Sequence, residues 1–144
     1  MKTYLDSTVL VSLLYAQSRF KAAADAALAA AAGHVFTSTH ALVETYRTLT
    51  TLKLPIPPRA ARQLVAGLEP AVRIIEISRP VYTAALAQVA RQGLAGAIVY
   101  DALHCQAARA GKAKRVVTRN AAHFRLFAGA MDVIELTEQL HGTV

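Results

Sequence analysis

Thr3-Tyr4-Leu5 reads as a short buried strand that ends in an acid, Asp6, followed by Ser7, Thr8 and the helical apolar run Val9, Leu10, Val11, Leu13, Leu14. A carboxylate between a strand and a helix can cap the helix by accepting backbone N–H groups. The same place, beyond the carboxyl end of a strand in an open α/β sheet, is where ligands bind. Taken alone, Asp6 is accounted for by capping. Covalent chemistry fits poorly, because a phosphatase using Asp6 as nucleophile wants a second Asp where Thr8 stands. Ser7 or Thr8 as nucleophile would need a paired base, and the sequence offers no sign of one; their hydroxyls are better suited to holding Asp6 or a water. A dinucleotide site would want a glycine-rich turn at this point. The useful question is whether other acids converge on Asp6.

Two others can. Glu44 falls in the first turns of a helix that follows the second strand, and Asp101 falls near the start of a helix over Ile98 to Ala110. Singly, Glu44 is accounted for as an exposed helical acid and Asp101 as compensation of a helix dipole. The chain has only nine acids, so three at one sheet edge are a candidate site.

The elements that must position these residues follow from breaks and periodicity. After the first strand and its helix, an alanine-rich helix spans Arg19 to Ala32 and ends at Gly33. A second strand covers His34 to Thr37. Ser38 or Thr39 caps a third helix with Leu42, Tyr46 and Leu49 spaced for one buried face, and the Leu54–Pro58 proline cluster stops it. A fourth helix runs from about Arg59 to Leu68, and Val72 to Ile77 is a third strand. Helix five runs from Pro80 to about Gln92, and Gly93 to Gly96 forms a loop before the Ile98–Ala110 helix. Lys114 to Thr118 and Asp132 to Leu136 are the last two strands, with a short helix over Ala121–Phe127 between them. Strands alternating with helices imply one α/β domain, with a mainly parallel five-stranded sheet between helical layers. Parallel strands end at a common edge, which gathers Asp6, Thr37 and Thr118-Arg119-Asn120 there.

Composition narrows the class. The chain has 144 residues, 54% hydrophobic and 17% charged, enough for one packed domain over 1–144 with a polar tail from about 137. A net charge of +7 favours a polyanionic partner, nucleic acid above all. Cys105 is the single cysteine, which excludes a disulfide framework and fits a reducing cytoplasm. The uncharged stretch Ala26 to Val43 contains Gly33, His34 and three hydroxyl residues, so it reads as helix, turn and strand rather than a membrane span. His34, His40 and His104 read as structural or solvent-facing. Lys112, Lys114 and Arg115 fall at the opposite edge from the acids. Arg47, one turn past Glu44, and Arg119 are better placed for phosphates. With no Trp and 6% aromatic residues, a broad stacking platform for single strands is not expected.

Four segments together resemble the PIN-domain family, and within it the VapC-type toxins of VapBC toxin–antitoxin pairs. They are Tyr4-Leu-Asp6-Ser-Thr-Val-Leu10, Ala41-Leu-Val-Glu44-Thr-Tyr46, Tyr100-Asp101-Ala-Leu-His104-Cys-Gln-Ala-Ala108 and Thr118-Arg-Asn120-Ala-Ala-His123-Phe124. The resemblance spans nearly the whole chain. It implies a sheet ordered 3-2-1-4-5 and a Mg²⁺- or Mn²⁺-dependent endoribonuclease. Asp6, Glu44 and Asp101 would be the metal cage, with Asn120 as a further oxygen ligand. Mg²⁺ prefers hard oxygen ligands supplied by a few acids and substrate phosphate. Thr118, Ser7 and Thr8 would orient an acid or a metal-bound water, while Arg47, Arg119 and His123 would contact RNA. The family often carries acids where Asn120 and His123 stand, which questions a two-metal mechanism; helix capping is an equal account of Asn120, and an ordinary surface histidine the simpler account of His123. The resemblance also implies an antitoxin whose tail wraps the toxin and places a side chain, often basic, at the acids. A homodimer is expected, with the Leu49–Pro58 face available to either partner. The alternative is a PIN-like module that binds RNA or protein without turnover.

Overall fold

A computed structural model describes residues 2–138; the part of the expected polar tail from 139 onward lies outside the described residues. Among the described residues there are five strands: β1 (Thr3–Leu5), β2 (Val35–Ser38), β3 (Arg73–Ile75), β4 (Arg115–Thr118) and β5 (Asp132–Glu135). They form one sheet in the order β3-β2-β1-β4-β5, every pairing parallel. The register sets Tyr4 beside Phe36 and Leu5 beside Val117, so the carboxyl ends of β1, β2 and β4 lie side by side. Seven helices connect them: α1 (Ser7–Leu14), α2 (Lys21–Ala30), α3 (Thr39–Thr51), α4 (Pro58–Ala66), α5 (Arg79–Arg91), α6 (Ile98–Ala110) and α7 (Ala121–Arg125).

Alternation along the strands sorts the core into two layers, because successive strand side chains point to opposite faces. Tyr4, Phe36 and Val116 pack with Ala85, Leu103 and Phe124 of α5, α6 and α7. Their neighbours Leu5, Val35 and Val117 pack with Val9, Leu10 and Ala24 of α1 and α2, and with Ala41 of α3. Cys105 is buried in the first layer as a free thiol. Burial of this kind stabilises by about 1.5–3 kcal/mol for each large apolar side chain. The C-cap of α6, Gly111, lies so close to β2 that an added Cβ would stand 2.3 Å from the Phe36 ring, so only glycine lets the chain turn there.

Helix ends follow their caps. Ser38 Oγ accepts from Ala41 N, so Ser38 is the α3 cap, and α6 has the bounds its sequence implies. The alanine helix is shorter than Arg19–Ala32, starting after Phe20, with Gly33 reversing the chain at φ +82°. The α3 stripe also differs from expectation. Its buried residues are Ala41, Thr45 and Leu49, whereas Leu42 is half-buried and Tyr46 is exposed. The Thr45 hydroxyl donates to Ala41 O, which satisfies it inside the helix and lets a polar residue take the inward position. Leu54 is exposed too, because the chain turns outward at the proline cluster.

Candidate active site at the carboxyl edge of the sheet

β1 delivers Asp6 to the sheet edge, where it is 2% exposed. Its carboxylate is fixed on three sides. Oδ1 accepts from Thr8 Oγ1 at 2.6 Å and from Val9 N at 3.2 Å, and Oδ2 accepts from Thr118 Oγ1 at 2.6 Å. Asp6 is thus the α1 cap and also more than a cap, since Thr118 reaches it from β4. Burial pushes its carboxyl above the usual range, opposed by His104 and by these hydrogen bonds. Thr118 and Thr8 also brace the next turn: Thr118 Oγ1 accepts from Asn120 N, and Thr8 Oγ1 from Arg119 N. Ser7 begins α1, and among the described residues no hydrogen bond joins it to Asp6.

Asp101 stands in the first turn of α6. Burial raises its carboxyl above the usual range, with the Asp6 charge adding to the shift and His123 opposing it. His123 Nδ1 lies 3.1 Å from Asp101 Oδ2, and among the described residues no hydrogen bond is made to Oδ1.

Glu44 points from α3 toward α6. His104 Nε2 bonds to its Oε1, and His40 Nε2 is 3.4 Å from its Oε2. Burial works against ionisation, but the two imidazoles, His104 above all, hold Glu44 well below the usual carboxylate range. In the same pair burial disfavours the His104 cation, yet Glu44, with Asp6 and Asp101 behind it, raises the imidazole above its ordinary value. His104 therefore feels all three acids. Its Nδ1 lies 2.7 Å from the Tyr4 hydroxyl, which is 2.9 Å from Ser38 Oγ. Because Ser38 Oγ accepts from Ala41 N, a consistent donor order runs from His104 Nδ1–H to Tyr4 and from Tyr4 to Ser38.

Over residues 3–129 the sequence matches the profile described as PIN domain. The chain belongs to the PIN-domain family. Comparison with curated proteins gives no match. Among solved structures, Mycobacterium tuberculosis VapC20, described as a sarcin-ricin loop cleaving toxin, is similar at 21% identity and TM-score 0.68, covering 80% of this chain and 87% of that one. A toxin-antitoxin complex from Klebsiella pneumoniae is similar at 20% identity and TM-score 0.67, over 96% of this chain and 100% of that one. VapBC2 from Rickettsia felis, bound to a DNA fragment from its promoter, is similar at 17% identity and TM-score 0.70, over 95% and 100%. At these identities the likeness carries the fold.

The remaining candidates of this PIN domain fall as follows. Asn120 occupies the α7 cap position, but its side chain makes no capping bond; its backbone N–H donates to Thr118 Oγ1. Arg119 lies with its guanidinium 3.7 Å from the centroid of the Phe20 ring. Burial lowers its pKa, Arg19 adds to this, and the Asp6 charge opposes it. Arg47 is exposed on α3, three residues past Glu44. Lys112 lies at the opposite edge, in the turn after α6. His104, which is 2% exposed, and His40 read from sequence as structural or solvent-facing, and Tyr4 and Phe20 carry no site role there. A signal existed in the spacing of His40 and Glu44, four apart and so on one helix face. No helix among the described residues is long and apolar enough to cross a membrane.

Proposed function

We propose that this PIN domain is a VapC-type toxin, an endoribonuclease that uses Mg²⁺ or Mn²⁺ and is silenced by a cognate antitoxin. The observation that carries the reading is a buried Asp6 held in one orientation by Thr8, Val9 and Thr118. Nothing in a cap requires a hydroxyl from another strand on the far carboxylate oxygen.

The donor chemistry of the three acids suits a hard divalent cation. Among the described residues, however, their oxygens do not gather within 4.8 Å of one another as the ligand atoms of His40, Glu44 and His104 do, so the cage would have to close on the metal. Asp6 Oδ2 and Asp101 Oδ1 retain accepting capacity, both carboxyls are raised by burial, and a cation between them would relieve that cost. Asp6, Asp101 and Glu44 would hold the metal, which supplies a water of lowered pKa and charge stabilisation at the phosphate. Glu44 would join once it exchanges part of its His104 contact. Thr118 and Thr8 keep Asp6 aimed. Arg119 and Arg47 would neutralise flanking phosphates, and the exposed side of the Phe20–Arg119 pair would meet a base or sugar.

The antitoxin is proposed to bind near the acids. A groove of about 390 Å³ between α3 and α4, lined by Leu42, Val43, Tyr46 and Val65 with Arg62 and Glu69 at its rim, supports either an antitoxin segment or a second copy of the chain. Its apolar character comes from Val43, 68% exposed, and Tyr46, 38% exposed.

A binding module without turnover is the second reading. It is favoured by the family's acid positions being held by Asn120 and His123, and by Glu44 lying paired to His104. Incubating purified protein with structured RNA, with Mg²⁺, Mn²⁺ or chelator, separates the two. Metal-dependent cutting supports the nuclease; RNA binding with no cutting in any metal supports the module.

A further inference from the structure

We propose that His40, Glu44 and His104 form a site for one borderline divalent transition ion of the zinc class, distinct in donor chemistry from the oxygen cage and sharing only Glu44 with it. The donor atoms, two imidazole nitrogens and a carboxylate oxygen, lie within 4.8 Å of one another. Two nitrogens and one carboxylate suit zinc, cobalt or nickel, whereas Mg²⁺ calls for oxygens alone.

The second observation is an unmatched donor. His40 Nε2 is buried and makes no hydrogen bond, although Glu44 Oε2 is 3.4 Å away. That carboxylate stands at ion-pair rather than hydrogen-bond geometry, and a buried ring nitrogen so placed is incompletely satisfied. Its ring is aimed rather than loose, stacked on Tyr100 at 5.4 Å between centroids and 19° between planes.

The surroundings are those of a metal-binding histidine. With Nδ1–H donating to the Tyr4 hydroxyl, His104 presents Nε2 as the free lone pair once its proton is displaced. An outer hydrogen bond on the second ring nitrogen fixes the tautomer in this way at known metal sites. Ligands at about 2 Å from one ion, arranged tetrahedrally, stand about 3.3 Å apart. His40 Nε2 stands 3.4 Å from Glu44 Oε2, close to that value, whereas His104 bonds the other oxygen, Oε1. The carboxylate would turn to present its oxygen to the ion as the His104 contact opens and the ion replaces the proton. A fourth position remains for water or a phosphate oxygen.

Occupancy would take Glu44 away from the oxygen cage. That consequence rests on the nuclease reading, whereas binding does not. The test uses the full chain stripped of metal. Zn²⁺ is titrated against a chromophoric zinc indicator, and Co²⁺ is followed by its visible absorption. One equivalent of Zn²⁺ should bind, His40→Gln should weaken it about tenfold or more, and His34→Gln, at the opposite sheet edge, should leave it unchanged. Co²⁺ should give the intense bands of a low-coordinate nitrogen–oxygen site, and His40→Gln should lose them. Equal zinc affinity in wild type and His40→Gln, or only the pale spectrum of an octahedral ion, overturns the site. Zinc bound as described that leaves Mg²⁺-dependent RNA cleavage unslowed overturns the regulatory consequence alone. A protein that never cuts RNA fails the nuclease reading, and the two titrations still decide the site.

Discussion

His104, buried on α6, bonds through Nε2 to Glu44 on α3 and so ties the two helices together behind the acidic edge. Its other nitrogen is anchored on Tyr4 of the central strand. The acid therefore cannot choose its rotamer independently of the core.

This pair should shape the pH dependence of stability in metal-free protein. Glu44 is depressed from an ordinary 4.5, so its contribution is present above that pH and lost as pH falls through its folded value. His104 is raised from an ordinary 6.5, so its contribution is complete below that pH and lost as pH rises through its folded value. Their joint contribution is fullest between the two ordinary values. Denaturant unfolding in chelator should show a double-mutant coupling of about 0.5–3 kcal/mol between Glu44→Gln and His104→Asn, greatest in that window. A coupling near zero there would contradict the pairing.

The three acids should separate by stability while agreeing in activity. We expect Asp6→Asn, Glu44→Gln and Asp101→Asn each to abolish metal-dependent RNA cleavage. Asp6 and Asp101 have raised pKa values, so their charge at neutral pH works against folding, and their amides should leave metal-free stability unchanged or higher. Glu44→Gln should lower it. Thermal melts in chelator, beside gel assays of cleavage, give both readings; wild-type cutting by all three variants would end the nuclease proposal.

Thr118→Val removes the donor to Asp6 Oδ2 while preserving shape. A buried charged acceptor left short of a partner costs about 1–3 kcal/mol. Mg²⁺ affinity should fall about 10–100-fold, as when an orienting partner of a metal ligand is lost. Calorimetric titration with Mg²⁺ measures this, and unchanged affinity would show that Thr118 serves only the fold.

Asn120→Asp should tighten Mg²⁺ binding, since the side chain performs no capping that the change would disturb. Added repulsion from Asp6 and Asp101 should lower metal-free stability at the same time. Affinity equal to wild type would place residue 120 outside the metal site.

RNA affinity should fall with salt, and Arg119→Ala and Arg47→Ala should each reduce the slope of log K against log salt by about one. The pair Lys112→Ala/Lys114→Ala should change it less, because that turn is at the far end of the parallel strands. Phe20→Ala should weaken binding through the loss of the ring under Arg119 while leaving its charge. The reverse ranking would put the RNA on another face.

Much of the architecture is determined by the sequence itself. Alternation in Tyr4-Leu5 and Val116-Val117 allots side chains to two faces, glycine and proline set the breaks, and a run of strands separated by helices leaves a parallel sheet as the economical arrangement. The strand order itself came from the family resemblance, not from these patterns. A parallel sheet ends its strands at one edge, which gathers Asp6 and Thr118 there, but their contact across 112 positions of chain depends on β4 lying beside β1. Side-chain partners across helices are another matter. Nothing in the spacing of His104 says that it faces inward to Tyr4 and Glu44, or that Thr45 rather than Tyr46 turns to the core, since those depend on how α3 and α6 rotate about their axes when both pack on the sheet. Arg119 meets Phe20 for the same reason: they come from chain segments about a hundred residues apart, and only packing brings the ring beneath the cation.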